Sequence, residues 1–552
     1  MRTLKPYHIA LSICLLFGVF ASSSLKSQAV WENQTAEVYQ FLYRMSQKGL
    51  LVFDDMVRPV SRTYIAGCLD TLAAKSGSLS SVEKKELAFY QREYTDRALS
   101  DSAANGRLFR TDPFNRWRMV DVNSNHFMLR IDPVFSAFTI GGTNKSVTRY
   151  SSGINLYGYG GKHWAFYFSY NDFTEKGTGI DTLRSFTPES GFVTKISGNK
   201  KSHNFSEIRA GISYQFKNGS ISFNHDRFLW GYGENGRIVL SDKAPAYPYI
   251  RLDYQPLPWL SFNYMHAWLN SNILDSARTY PTGIGTPTFG ARREFFIPKF
   301  MAVHSIRFTP VKGLDIALGE SMVYSDRLDM GYLMPLNFYK VYDNLRNNNN
   351  INAGSNGQLF MQVSSRNHLP KTHLYASVFA DEIRMSAIFD KQKSRNQIGY
   401  TVGASVTDIV VPYLTMGLEY TRINPFVYRN LLPAQDFTNS RFTLGDWMGS
   451  NADRFIWSVR YTPAARLKFL FRYQYIRKGG AGTLDQQYFQ QPQPPFLFDL
   501  QNKQSWINTQ VSYEWINRLV FIGTLDMRSI KQGTAGTSVK DNTFGLGLRY
   551  GL

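Results

Sequence analysis

The sequence predicts a mainly β protein, an 18-stranded antiparallel transmembrane β-barrel preceded by a small N-terminal α-helical domain. Three observations lead there. Aromatic residues make up 15% of the chain, yet mean hydropathy is only −0.30, a balance that suits strands facing lipid on one side and water on the other. From about His126 onward the apolar residues recur with a period of two rather than the helical 3.6. Short and long connections then alternate, as periplasmic turns and outer loops do in such barrels.

Residues 1–29 read as a secretory signal. Arg2 and Lys5 precede the apolar run Ile9–Ala21, and Ser27 and Ala29 supply small residues at the −3 and −1 positions. The run is too short to cross a bilayer as a helix, and no later stretch is long and apolar enough to do so. Export and amphipathic strands together imply a multi-pass protein of a bacterial outer membrane. Cleavage near Ala29 leaves Cys68 as the single thiol, so no intramolecular disulfide can form.

Residues 30–120 carry helical patterns, expected as a periplasmic bundle or plug. Val38, Phe41, Leu42 and Met45 share one helix face, and Gly49 closes that helix. A second helix follows Arg58-Pro59 through Ile65, Leu69 and Leu72. A third opens at Ser80–Glu83, a capping-box pattern, and is expected to reach about Leu99.

Residues 121–552 form the barrel. Ile208, Ala210, Ile212, Tyr214 and Phe216 alternate with Arg209, Gly211, Ser213 and Gln215. Leu467, Phe469, Phe471, Tyr473 and Tyr475 alternate in the same way with Lys468, Arg472 and Gln474. The chain ends on a further alternating run, Phe544 to Leu552. Short turns are expected near 160–162, 217–219, 255–259, 310–313, 365–371, 408–412, 462–465 and 516–518. Long connections are expected over 171–205, 269–300, 323–357, 423–452, 477–503 and 528–541. Reading 380–397 as one outer loop rather than an additional strand gives 18 strands, with both ends of the barrel on the periplasmic side.

Trp230–Pro248 is then the outer loop between the fifth and sixth strands, long enough to fold inward over the lumen. Gly231, Gly233 and Gly236 fit the spacing of a dinucleotide loop. RIVLSDKAPAYP follows them, with two prolines and no helical period, which argues against nucleotide binding. The glycines more simply supply positive φ. Trp230, Tyr232, Tyr247 and Tyr249 lie beside Arg227, Arg237 and Lys243. Aromatic faces stack on sugar rings and basic forks hold carboxylates or phosphates, so these seven are the candidate glycan contacts. The same residues would also serve as loop packing and an aromatic girdle at the membrane boundary.

Trp230-Gly-Tyr-Gly233-Glu-Asn-Gly236-Arg-Ile238-Val-Leu240-Ser241-Asp-Lys-Ala244-Pro-Ala-Tyr-Pro248, with His225-Asp-Arg227 before it and Ile250-Arg-Leu252 after, resembles a pattern of the capsule-assembly Wzi family. The resemblance implies an 18-stranded outer-membrane barrel with a helical N-terminus. It also implies lectin-like retention of capsular polysaccharide at the cell surface, without catalysis.

Arg209, Arg251, Arg307, Arg460, Lys468, Arg472 and Arg549 fall on the polar phase of their strands and are expected to face the lumen. They either form ion pairs there, for instance with Asp253 and Asp526, or line an anion-attracting path. Net charge is +20, about +17 once Arg2, Lys5 and Lys26 leave with the signal. That excess points to polyanions: an acidic surface or capsular polysaccharide, or the phosphates of lipopolysaccharide, with nucleic acid excluded by location. No zinc, calcium or serine-hydrolase motif occurs, and His368 and His373 do not form a metal pattern, so neither cofactor nor metal is expected. The reading is a monomeric, non-enzymatic barrel that binds polysaccharide. Its alternatives are an anion-selective channel and a barrel-embedded hydrolase.

Overall fold

A computed structural model describes residues 29–94, 105–112, 116–124, 127–143, 145–193, 201–283, 285, 290–347, 354–383, 389–390, 392–393, 395–533 and 536–551. The expected signal lies almost wholly outside them. Eighteen strands, from Phe127–Gly142 to Thr537–Tyr550, pair with their sequence neighbours in antiparallel order. The last strand closes the barrel on the first, with Tyr550 opposite Phe135 and Thr543 opposite Gly142. A hairpin, Asn105–Thr111 and Trp117–Asn123, extends the sheet beside the first strand.

Alternation sets which way each strand faces. In Leu467–Lys478, Phe469 and Tyr475 are exposed outward, whereas Lys468 and Gln474 are buried inside. Connections at one end of the barrel are short, such as 217–218 and 517–518, and most of those at the other end are long. The strands Thr372–Ile383 and Asn396–Thr407 pair directly with each other and join at the long-loop end, in keeping with the expected 380–397 connection. The expected long loop over 528–541 is not found. Strands Leu519–Gln532 and Thr537–Tyr550 run through it and pair up to Gln532 and Thr537, because Met527, Ile530 and Val539 continue the alternation.

Three helices precede the barrel: α1 (Val38–Gln47), α2 (Arg62–Ala74) and α3 (Ser81–Gln91). Gly49, at φ +73°, follows the end of α1 in the left-handed conformation typical of a helix stop. Ser61 caps α2 by accepting from the N–H of Tyr64, and Ser80 with Glu83 forms the full capping box of α3. α3 ends at Gln91, about two turns earlier than expected. Phe41, Leu42, Ile65, Leu69, Leu72 and Leu87 bury their side chains between the helices.

The helices seat inside the short-turn end of the barrel. Tyr43 Oη lies 2.7 Å from Nδ1 of His373, and Gln47 donates to Ser405 Oγ at 2.7 Å. Lys48 pairs with Asp408 at 2.9 Å. Lys468 and Arg549 both donate to Glu37 at 2.9 Å.

Candidate functional site

The loop 227–246 enters from the long-loop end and turns inward to meet the helical segment. Leu229 and Trp230 pair as a short ribbon with Arg58 and Val57, and the N–H of Gly231 donates to Met56 O at 2.8 Å. Trp230 is fully buried, its ring 5.8 Å from that of Phe360. Tyr232 packs edge-on to His373 at 5.1 Å. Farther along, Glu234 accepts from Arg460 at 2.5 Å and from Arg472 at 2.9 Å. Burial alone would raise the pKa of Glu234, but the two guanidiniums outweigh it and hold the carboxyl below its usual value.

The loop folds inward, as its length allowed, and its candidate glycan contacts lie within protein packing. Trp230, Tyr232, Arg237, Lys243, Tyr247 and Tyr249 are all buried, and half-buried Arg227 donates to Glu207 at 2.7 Å. The aromatic faces expected to stack on sugar are instead spent on lumen packing, where hydrophobic burial rewards them more than exposure would. Lys243 donates to the carbonyls of Arg184, Thr187 and Glu189 at 2.5, 3.0 and 2.8 Å, pinning the neighbouring long loop. Burial, reinforced by Arg184, lowers the Lys243 pKa to about 8. Burial and the charge of Arg58 lower that of Arg237 to about 10.

The glycines divide by cause. Gly231 (φ +94°) and Gly236 (φ +148°) occupy conformations that favour glycine. Gly233 does not; a Cβ there would lie 1.8 Å from Gly236 O, so close backbone approach demands it.

All seven lumenal basic residues have partners. Arg460 and Arg472 hold Glu234 of the inward loop, and Lys468 and Arg549 hold Glu37 just before α1. Arg307 pairs with Asp54. Arg251 donates to Pro59 O at 2.7 Å and pairs with Asp253 at 2.6 Å. Arg209 makes two 2.8 Å bonds to Asp226. Asp526 accepts from Trp506 Nε1 and Asn508 Nδ2 at 2.8 and 2.9 Å. Apart from Arg209, whose partner Asp226 is in the barrel wall, these cations are thus a docking surface for the N-terminal segment and the loop. His373 is occupied by Tyr43 and Ser364, and His368 lies against Ser365.

The loop 424–451 packs over the inward loop. Tyr428 donates to Ile238 O, Ser241 to Gly445 O and Trp447 Nε1 to Asn235 O, at 2.6, 2.5 and 2.6 Å. Between the inward loop and the helices remains a cavity of about 290 Å³, lined by acids and bases together, among them Glu37, Arg44, Asp55, Arg237 and Glu419.

Two further cavities lie at the long-loop mouth. One, about 230 Å³, is lined by Asp343, Asn347, Glu382, Arg429, Asn430 and Tyr488. The other, about 280 Å³, is lined by Asn396, Arg422, Asn424, Gln493, Pro494 and Phe496. They are neighbours, since consecutive residues Asn396 and Gln397 line one each. The Arg422 guanidinium stacks over the Phe496 ring at 3.8 Å while its Nε donates to Asn424. Arg395 donates to Glu382 at 3.1 Å and to the carbonyl of Tyr488. Sequence reasoning did not single out Arg422, Arg429, Tyr488 or Phe496. The available signal was the Gln/Pro stretch 486–495, legible as a flexible loop with adaptable hydrogen-bonding groups.

A closed 18-stranded antiparallel barrel with a helical domain in one mouth and folded loops in the other has the architecture of an outer-membrane β-barrel protein. Among solved structures it is similar to Wzi, an outer membrane protein involved in group 1 capsule assembly in Escherichia coli and described as a carbohydrate-binding β-barrel. The two share 11% identity at a TM-score of 0.58, over 95% of this chain and 100% of Wzi, so the likeness is one of fold. Acinetobacter baumannii OccAB2 aligns at TM-score 0.43 and 9% identity, over 76% of this chain and 97% of its own. Pseudomonas aeruginosa OccK3 aligns at 0.40 and 12%, over 76% and 95%. No family model and no curated protein matches the sequence.

Proposed function

We propose that the protein binds and organises acidic surface polysaccharide at the mouth formed by its long loops, without turning it over. On this reading residues 1–29 direct export, the helical segment within 30–120 faces the periplasm, and the long loops face outward from a monomer. The observation that carries the proposal is the contrast between the two regions. The helices and the inward loop occupy the lumen and leave a cavity of about 290 Å³ between them, whereas the mouth holds adjoining cavities with Arg422, Arg429, Tyr488, Phe496 and several amides, beside the carboxylates of Asp343 and Glu382. Guanidiniums hold carboxylates or phosphates, amides bond to hydroxyls and aromatic rings cover sugar faces. The basic excess of the chain favours an anionic glycan, capsular or otherwise, and lipopolysaccharide phosphates fit the same chemistry. The fold shared with a carbohydrate-binding barrel supports the reading.

Isothermal titration of the purified protein with an acidic and a neutral polysaccharide tests it, with chain length followed by gel filtration. Saturable binding of the acidic polymer, weakened by salt and leaving its length unchanged, is the expected result. Shortened chains would identify a hydrolase, and equal binding of both polymers would remove the role assigned to the arginines.

A further inference from the structure

The loop between strands Leu314–Ser325 and Asn356–Arg366 does not stand above the barrel. It folds down its outer wall. In strand Phe296–Val311, Lys299 and Arg307 point inward, to the carbonyl of Asp436 and to Asp54, so His304, Ala302 and Phe300 belong to neither inward position and face out. Tyr264 and Glu320, directly opposite His304 on the adjacent strands, face the same way. Over this wall lie Tyr332 and helix α4 (Tyr339–Asn347): Tyr332 and Tyr339 are fully buried against Tyr264, Phe300, Met322 and Tyr324.

The covered wall holds an unusual pair for a lipid-facing surface. His304 Nε2 lies 3.2 Å from Glu320 Oε1. The Glu320 carboxylate accepts from the N–H groups of Tyr339 and Lys340 at 2.6 and 3.3 Å, so it caps the positive end of α4. On the next strand Glu320 is opposite Leu359, which is 56% exposed and part of the apolar band. The pair therefore lies at the depth of the hydrocarbon, where bare polar groups are costly, and the strap covers it. The outer side of the strap is apolar in turn: Met330, Met334, Leu336, Phe338, Val341 and Leu345 are 56–79% exposed. Six large apolar side chains in one 16-residue stretch exceed the scattered exposure normal for a water-facing loop.

We propose that residues 328–345 form a strap seated in the leaflet on the long-loop side, with these six side chains taking lipid acyl chains. Continuity with the exposed Leu318, Leu359 and Met361 of the adjoining strands selects lipid as the occupant. Exposed Lys340 at the start of α4 can reach the headgroups along its own stem.

The test is collision accessibility of a nitroxide in the full-length protein reconstituted into phospholipid bilayers. Labels are placed at Leu345→Cys, at Leu359→Cys in the apolar band and at Gln490→Cys in an exposed long loop; Cys68 is buried. Position 345 should match position 359, colliding with oxygen several-fold more than with a water-soluble nickel chelate. A ratio matching position 490 would place the strap in water and overturn the proposal. Low collision with both reagents would mean that protein covers it, and would overturn it equally.

Discussion

The N–H of Gly231 donates to the carbonyl of Met56 at 2.8 Å, so the loop descending from one end of the barrel touches the helical segment entering from the other. The two are far apart in sequence, and the barrel strands bring them together. Gly231 holds φ +94°, and a Cβ would sit 2.4 Å from Gln362 Nε2. Gly231→Ala should cost about 1–3 kcal/mol through backbone strain and crowding. Urea unfolding in detergent should show a lowered midpoint; an unchanged one would mean that the junction can relax freely.

Asp55 is the electrostatic hinge of that junction. It pairs with Arg366 of the wall at 2.5 Å and with Arg58. Asp55→Asn leaves buried Arg366 without its counter-charge, a loss of about 3–5 kcal/mol. Hydrogen exchange should then quicken in α1 and α2 while the strands stay protected.

The pH dependence has a defined sign. Burial would raise the pKa of Asp55, but Arg366 and Arg58 outweigh it and hold the group well below the usual carboxylate range. A depressed folded pKa gives stabilisation that is complete above the unfolded value of about 3.9 and is lost as pH falls toward the folded value. Glu37, lowered by Lys468 and Arg549 against the same opposing burial, behaves alike. Exchange protection of α1 should therefore be unchanged by acidification from neutral pH to about pH 5, and fall only below about pH 4. Loss of protection near pH 6 would contradict this assignment.

At the mouth, Phe496 supplies the ring and Arg422 the charge stacked on it. Arg422→Ala and Phe496→Ala should each weaken binding of an acidic polysaccharide by about 1–2 kcal/mol, roughly ten-fold. Only the first should also flatten the salt dependence. Titration calorimetry at two ionic strengths separates the effects, and unaltered affinity in both variants would move the site elsewhere.

The barrel was legible because alternation is local: residues such as Phe469 and Lys468 declare opposite faces within one strand. Strand number followed from turn lengths, including the connection between the strands that end at Ile383 and begin at Asn396. The loop at 528–541 was misjudged because Lys531, Gln532 and Gly533 look like loop composition although the strand pairing continues to Gln532. The burial of the candidate contacts was not legible for another reason. Composition marks Trp230 and Tyr249 as aromatic beside cations, but it cannot say whether the ring meets sugar or protein. That depends on Val57 and Phe360, which are remote in sequence. Among the partners of the candidate lumenal bases, Glu37, Asp54 and Glu234 come from segments with no pairing signal. Arg422 and Phe496 escaped notice because they lie 74 residues apart and meet only through loop folding.

The central claim is that this barrel is a closed platform rather than a conduit, and planar-bilayer recording tests it most directly. The intact protein should pass no steady current, while a variant lacking residues 229–240 should conduct, because it loses the loop that packs on the helical segment and carries the carboxylate held by Arg460 and Arg472. A steady anion-selective current through the intact protein would contradict the account.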